Sequence, residues 1–241
     1  MGALHCILSF NKTQLTNACL EQLLPSAQKR HEPVVLIHNG SEPQNIEKLR
    51  ATWPQVQHFM IPQNVGFSGG ANRGLQYGFQ YATWIFFHTN DTLTLVLPDK
   101  LPDRPGLLAP KIYRRSTIRI DSIGGKGNMR SLELRHCHSE SDFRHLERDE
   151  FPYVPGTAFL IHREVFNSYG GFDEDYHTYW EDVDFSFRIW RCQPHFLDLI
   201  SGWELIHKVG KTCHKNPFYT RHLFPQNREK FRNKYLRKIN P

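Results

Sequence analysis

The sequence has no apolar run long enough to cross a membrane. Its longest stretches, "VVLI" and "WIFF", are strand-length, against the roughly 20 residues a spanning helix needs. No basic leader precedes the apolar part of "MGALHCILSF", so this start reads as a first strand and not as a signal peptide. Cysteine is sparse: Cys6, Cys19, Cys137, Cys192 and Cys213 are scattered, odd in number and form no CxxC. That favours reduced thiols in a cytoplasmic setting over a disulfide framework or a zinc site. The Asn-x-Ser/Thr matches at Asn11, Asn39 and Asn90 then read as chance. Internal repeats and low-complexity linkers are missing too. The positive charge is not evenly spread. Residues 215–241 hold eight Lys or Arg against the single Glu229, a balance of +7, so the rest of this +6 chain sums to −1.

What is present suits a folded core: 241 residues, 39% hydrophobic and 13% aromatic, enough for one large domain or two small ones. The first hundred residues alternate strand and helix signals. "LHCILSF", "EPVVLIHNGS", "VQHFMIP" and "TWIFFHTND" are strand candidates. Between them "NKTQLTNACLEQLLPSAQ", with Leu15, Cys19 and Leu23 at helical spacing and Asn11 or Thr13 as cap, "IEKLRATW" and "LQYGFQYA" read as helices. Apolar strands separated by helices imply a parallel sheet covered on both faces, with ligands at the carboxyl ends of its strands. Polar residues stand at those ends: Ser9 and Asn11, His38 and Asn39, Asn64, Asn90 and Asp91. After Pro98 the alternation stops. "TIRIDSIGGKGNMRSLELRH" reads as a hairpin with Ile118 and Ile120 alternating, a "GGKGN" turn and then Leu132 and Leu134; residues 136–150 read as a surface loop.

Several segments carry candidate chemistry. In "NVGFSGGANRG" the glycines Gly66, Gly69, Gly70 and Gly74 precede or open a helix starting near Ala71. Either they let backbone N–H groups cradle an anion, or they make a tight turn with no ligand. "GKT" at 210–212 imitates a Walker tail, but Leu205 stands where the leading glycine belongs. Asp91 in "HTNDT" is either a one-carboxylate cation site or a turn former. Six of the 24 acids lie between Asp173 and Asp184. A helix from about Glu181 pairs Asp184 with Arg188 at i, i+4 and places Asp182 at the head of an apolar stripe with Phe185 and Ile189. First-turn charge compensation explains one or two of these acids. It leaves Tyr179 and Trp180, flat walls suited to a sugar ring, unexplained. His207 ends an apolar run and is either structural or a ligand. His136, Cys137, His138 and His145 lack zinc-ligand spacing. In the tail, Phe231, Tyr235 and Ile239 recur at i, i+4, i+8 among basic residues. That helix either meets an anionic membrane or phosphate-bearing acceptor, or packs on its own domain.

In order, these stretches resemble the family-two glycosyltransferases of the GT-A fold, most of all the bacterial rhamnosyltransferase-like branch. "SFNK" is similar to that family's T-Y-N, "IHNGSE" to its D-N-x-S, and "NVGFSGGANRG" to its N-x-G-F-[SAG]-x-[AG]-N-x-G. "HTNDT" resembles an N-N-D-T version of the metal-binding DxD. "VPGTAFLIHREVFNSYGGFDEDYHTYWEDVDFSFRI" resembles the family's long G…F-D-E…Y-x-E-D-x-D…R motif, and "ELIHKVGKT" its late histidine segment. The likeness spans roughly residues 4–214.

The resemblance implies an α/β, mostly parallel GT-A (Rossmann-like) sheet flanked by helices, with a smaller hairpin region on the acceptor side. One domain would cover 1–214, with a nucleotide-binding half over 1–98 and an acceptor and catalytic half over 99–214; a basic helical extension would cover 215–241. It implies inverting transfer from a UDP-, dTDP- or GDP-sugar to a hydroxyl of a glycan or lipid-linked glycan, as in bacterial surface polysaccharide synthesis. Asp182 would be the base and Glu181 would shape its site. Asp91 and His207 would hold Mg²⁺ or Mn²⁺. Ser9, Asn11, His38 and Asn39 would line the base and ribose, with Asn64, Gly69, Gly70, Asn72, Arg73 and Asn90 completing the donor site. Trp180, Tyr179 and Gly156 would face the sugar and acceptor. A cytoplasmic enzyme is implied, with the basic tail a candidate peripheral membrane contact and no nucleic-acid partner. Three residues or segments depart from the pattern: His38 replaces the usual Asp at the base, Thr89 replaces the first DxD position, and "RCQPHF" replaces a glycine after the ED helix. The first two motivate an alternative, a non-catalytic module that binds nucleotide sugars or glycans. A sugar nucleotidyltransferase is disfavoured, because "SFNKTQLTN" has no glycine-rich basic loop after the first strand.

Overall fold

The computed structural model describes residues 2–114, 119–208 and 218–236. Ile118, the 210–212 "GKT", Cys213 and Ile239 lie outside the described residues. The first half runs β1 (Ala3–Ser9), α1 (Thr13–Lys29), β2 (Val34–Asn39), α2 (Pro43–Thr52), β3 (Gln57–Ile61), α3 (Gly66–Gly78), β4 (Trp84–Thr89) and β5 (Thr92–Val96). The second half continues β6 (Leu107–Arg114), β7 (Ile120–Ser122), β8 (Gly125–Asn128), β9 (Leu134–His136), α4 (Glu140–Arg144), β10 (Glu150–Tyr153), β11 (Ala158–His162), α5 (Arg163–Tyr169), α6 (Glu181–Cys192), β12 (Leu197–His207) and α7 (Phe224–Tyr235).

The main sheet has the order β3-β2-β1-β4-β11-β6-β12-β5, with β7 beside β6. The pairs β3-β2, β2-β1, β1-β4 and β6-β12 are parallel. Strand β11 enters antiparallel between β4 and β6, with Ala158 opposite His88. The apolar runs are continuous because both faces of these strands are covered. On β1, Leu4, Cys6 and Leu8 pack with Ala71 and Leu75 of α3, while Ala3 and Ile7 pack with Leu20 and Leu23 of α1.

Helix α3 begins at Gly66, five residues before the expected start near Ala71. Its Gly70, Gly74 and Gly78 form a stripe against the sheet. A Cβ added there would meet Leu8 Cδ1 at 2.9 Å, Ile37 Cγ1 at 3.0 Å and Ile85 Cδ1 at 2.8 Å. Close packing of helix on sheet therefore accounts for these three glycines. Of the glycines in α3, Gly66 alone, at φ 77°, needs a left-handed backbone. The cap expected for α1 is also corrected. Lys12 occupies that position without a side-chain cap, and Asn11 Oδ1 instead accepts from the Glu42 and Asn45 nitrogens. The buried stripe of α1 includes Thr16, Cys19, Leu20 and Leu23, leaving Leu15 half-buried.

Beyond Pro98 the largest correction is the "GGKGN" turn. Gly125–Asn128 is the central strand of a second sheet, order β10-β8-β9. The rings of Tyr153 and Phe151 lie where Cβ atoms of Gly125 and Gly127 would stand, each at 2.3 Å. Those glycines exist because aromatic rings cover the strand. Residues 136–150, expected as loop, include α4, capped by Ser139. They also bury Cys137 and Phe143 against Ile123. Cys6, Cys19, Cys137 and Cys192 are free thiols.

An aromatic cluster fills the space between β10, α6 and α7: Phe151, Tyr153, Tyr176, Trp180, Phe187 and Phe231. Phe231 is fully buried and lies 5.1–5.8 Å, centroid to centroid, from the rings of Phe151, Trp180 and Phe187. The apolar side of the basic tail helix is thus consumed in packing, so Phe231 is not free to enter a membrane. No described helix is long and apolar enough to cross one.

Candidate functional site

One carboxylate paired with an imidazole, Asp91 with His207, and one pair of adjacent carboxyls, Glu181 and Asp182, flank the segment that leads into β11. Asp91 lies between β4 and β5. Its Oδ1 accepts from Thr89 Oγ1 at 2.7 Å, and its Oδ2 lies 3.4 Å from Nε2 of His207, the last residue of β12. The antiparallel register, His207 opposite Thr92, delivers that imidazole to the strand end. Burial pushes the Asp91 carboxyl up, but the His207 imidazole and the Thr89 hydroxyl more than offset it and hold it below its usual range. Thr89 also reaches Thr157: its backbone N–H donates to Thr157 O at 3.0 Å and its Oγ1 lies 3.1 Å from the same oxygen. The neighbouring Gly156 N–H donates to Asp182 Oδ2 at 2.9 Å. The two residues preceding β11 therefore connect Asp91 to Asp182.

Asp182 sits in the first turn of α6, with Oδ1 accepting from the Val183 N–H at 2.8 Å. Burial raises its carboxyl; the Gly156 and Val183 amides oppose that without cancelling it. Glu181 is 5% exposed and its Oε2 has no hydrogen-bond partner. Burial, then the charge of Asp182, drives its carboxyl well above the ordinary value. Adjacent carboxyls that resist ionising together can hold or accept a proton near neutral pH. Asp184 has a different task. Fully buried, it accepts from Arg188 at 2.9 Å, as the i, i+4 spacing predicts, and also from Tyr176, Lys234 and Tyr235.

The residues expected on the donor side gather at the strand ends, where they lash loops together. Ser9, buried, meets Thr16 at 2.9 Å, and Asn90 Nδ2 donates to Thr16 at 2.9 Å and approaches Ser9 Oγ at 3.3 Å. Asn39 donates to Gly66 O and accepts from Val65 N–H, while Asn64 accepts from Gly66 N–H. The first amides of α3 are thus held by side chains, and Ser68 N–H by His177 O. Of the two readings of this glycine segment, the bonded amides of Val65, Gly66 and Ser68 favour the tight turn over the anion cradle. Asn72 brackets Phe172, accepting from its N–H and donating to its carbonyl, and also reaches Glu174; Arg73 bonds Gly69 O and Glu174. Gly69 faces Arg73 and Glu174, and Gly70 faces Asn39.

Two expectations fail on burial. The His38 ring is inaccessible, stacks on His58 and shares a 2.8 Å hydrogen bond with it, with burial lowering its pKa to about 4. It cannot present itself to a base as the Asp it replaces would. Trp180 is 1% exposed among Phe224 and Phe231, so its ring is core and not a sugar-facing wall. Tyr179 remains half-buried beside Phe224. Both Tyr179 and Trp180, like His177, have positive φ, 66°, 73° and 58°, at on the order of 1 kcal/mol or more each for a non-glycine residue. Sequence reasoning missed Thr157, Glu174 and Asn227. Glu174 was visible within the "FDE" of the long motif; a lone threonine and a tail asparagine gave no signal.

Asp91 and His207 together offer one carboxylate and one imidazole. Among the described residues no group of three or more His, Cys, Asp and Glu could hold an ion. Two protein ligands fit a Mg²⁺ or Mn²⁺ ion that completes its shell with phosphate oxygens and water, and do not fit a closed structural metal site.

No protein-family profile and no curated protein sequence matches this chain. Solved structures do match its fold. GalNAc-T7 with UDP, GalNAc and Mn²⁺ aligns with a TM-score of 0.62 at 17% identity, over 86% of this chain and 41% of that one. The mannosyltransferase PcManGT from Pyrobaculum calidifontis, in complex with GDP-Man and Mn²⁺, gives 0.56 at 12% identity, over 87% and 57%. S. aureus TarS 1-349 gives 0.52 at 12%, over 86% and 60%. The fold is the GT-A fold, an α/β arrangement around a mostly parallel sheet. The chain spans about half the length of the first two of these structures.

Proposed function

We propose that this chain is an inverting glycosyltransferase that moves a sugar from a nucleotide-diphosphate donor to an acceptor hydroxyl, within one domain over residues 1–214. The observation that carries the reading is the hydrogen-bonded path Asp91–Thr89–Thr157/Gly156–Asp182. It links a carboxyl held below its usual range to one that burial raises, which supports reading the first as a cation ligand and the second as a base. The solved structures of the same fold that contain UDP or GDP-Man together with Mn²⁺ support the kind of ligand.

Asp182 accepts the proton of the attacking hydroxyl. Its raised carboxyl is the stronger base for being buried, while the Gly156 and Val183 amides fix its orientation. Glu181, held above its ordinary pKa, keeps a second negative charge from accumulating beside the base. Asp91 and His207 would hold Mg²⁺ or Mn²⁺, which supplies positive charge to the leaving diphosphate. Thr89 and Thr157 keep Asp91 oriented. Asn11, Asn64 and Asn90 form the donor rim, braced from beneath by the buried Ser9–Thr16 pair, with Tyr179 and Gly156 on the acceptor side. The "ED" segment and late histidine favour the rhamnosyltransferase-like branch, with a glycan or lipid-linked glycan as acceptor.

The test is a thermal-shift and donor-hydrolysis screen of UDP-, GDP- and dTDP-sugars with and without Mn²⁺. A Mn²⁺-dependent rise in melting temperature with one nucleotide class, accompanied by sugar release, is expected. Binding without any release, in wild type and Asp182→Asn alike, would instead support a glycan- or nucleotide-binding module.

A further inference from the structure

The segment just before the two catalytic carboxyls is backbone-strained, and one buried side chain from the tail holds it. His177, Tyr179 and Trp180 all have positive φ, which L side chains rarely adopt. They end at Glu181, where α6 begins. Such a run persists only where the surroundings over-determine it. The carbonyls from 176 to 180 show how. That of His177 accepts from Ser68 N–H, and that of Trp180 accepts from Asp184 N–H. The carbonyls of Tyr176, Thr178 and Tyr179 all converge, each at 2.8 Å, on a single atom, Nδ2 of Asn227. Its two hydrogens are shared among the three.

Asn227 lies on α7, is 2% exposed and reaches the proposed acceptor side through the Tyr179 backbone carbonyl. Its helix is fixed on both sides of Asn227: Phe224 packs against the rings of Tyr179 and Trp180, and four later side chains hold the other side. Phe231 enters the aromatic cluster, and Lys234 and Tyr235 bind Asp184 on the far side of the first turn of α6. Lys230 also bonds Asp175 O. We infer that Asn227 is a positioning residue: it holds the left-handed 177–180 turn, and through it the orientation of Asp182 towards Gly156. The basic tail thereby becomes part of the machinery that aims the base. This rests on the reading of Asp182 as the base.

Two variants of the full chain decide it. Asn227→Asp keeps the shape but sets carboxylate oxygens against three carbonyls, and Asn227→Ala removes the donor. Arg228→Ala, on the exposed side of the same helix, is the control. By hydrogen–deuterium exchange, amides 178–184 should exchange at least about tenfold faster in both variants, with those of β1, β2 and β4 unchanged. Turnover of the donor found in the screen should fall about a hundredfold while its KM stays within about twofold, as for a misaimed catalytic group. Arg228→Ala should match wild type in both readouts. Unchanged exchange at 178–184, exchange that rises equally throughout the chain, or local loosening with full turnover would each overturn the inference. A wild type inactive on every donor would instead overturn the glycosyltransferase reading, and the exchange pattern alone would then decide whether Asn227 holds the turn.

Discussion

Asp91 and Asp182 are both largely withdrawn from water, yet their surroundings push them in opposite directions. At the strand end, a hydroxyl and an imidazole meet Asp91, and the carboxyl is stabilised as an anion. At the helix start, the neighbour of Asp182 is another carboxyl, and two backbone amides do not fully restore the lost hydration. The difference teaches that burial raises both acids, and that the strength of the polar partners decides whether it is overcome. A cation site wants the first environment and a proton acceptor wants the second.

The largest expected effect is on the second carboxylate. Asp182→Asn should lower transfer by about a thousandfold, since a positioned base contributes on the order of 10²–10⁴, while nucleotide binding with Mn²⁺ survives in calorimetry. Full activity in that variant would end the distinction. Next, Asp91→Ala should remove the Mn²⁺-dependent part of nucleotide binding; identical titrations with and without Mn²⁺ in wild type and variant would count against the cation reading. Thr89→Val keeps the shape but removes the hydroxyl held against Asp91 and Thr157, and should weaken Mn²⁺-dependent binding by about tenfold. The smallest effect is on stability. A carboxyl whose folded pKa is raised favours the fold most below the unfolded value, about 4.3 for Glu, and loses that advantage as pH rises towards the folded value. Glu181→Gln should therefore raise the melting temperature at pH 7 to 8, with the gain vanishing near pH 4. A gain that grows towards acid would reverse the sign assigned to Glu181.

The legible parts of this molecule share a property: their physics is local. Strands β1, β2 and β4 announce themselves because parallel strands covered on both faces need uninterrupted apolar residues. The Asp184–Arg188 pair follows from helical spacing. The misread parts depend on partners far along the chain. Gly125 and Gly127 looked like a turn because the rings that exclude their side chains belong to Tyr153 and Phe151. Trp180 looked like a wall because the helix that covers it begins at Phe224. His38 looked available at a strand end, but its partner is His58 on the next strand. Asn227 was invisible, since only folding brings it under three carbonyls.

By itself the sequence determined the alternation of β1 through β4, the crowding of polar residues at their carboxyl ends and the acids that open α6, because periodicity and local charge are written within a few positions. Tertiary structure alone decided which of those polar groups stay open and which are spent on loops, and it alone paired His207 with Asp91 and linked Asp91, through Thr89, Thr157 and Gly156, to Asp182. A carboxyl's pKa and a ring's exposure follow from what packs against them. Here those neighbours arrive from strands and helices tens of residues away.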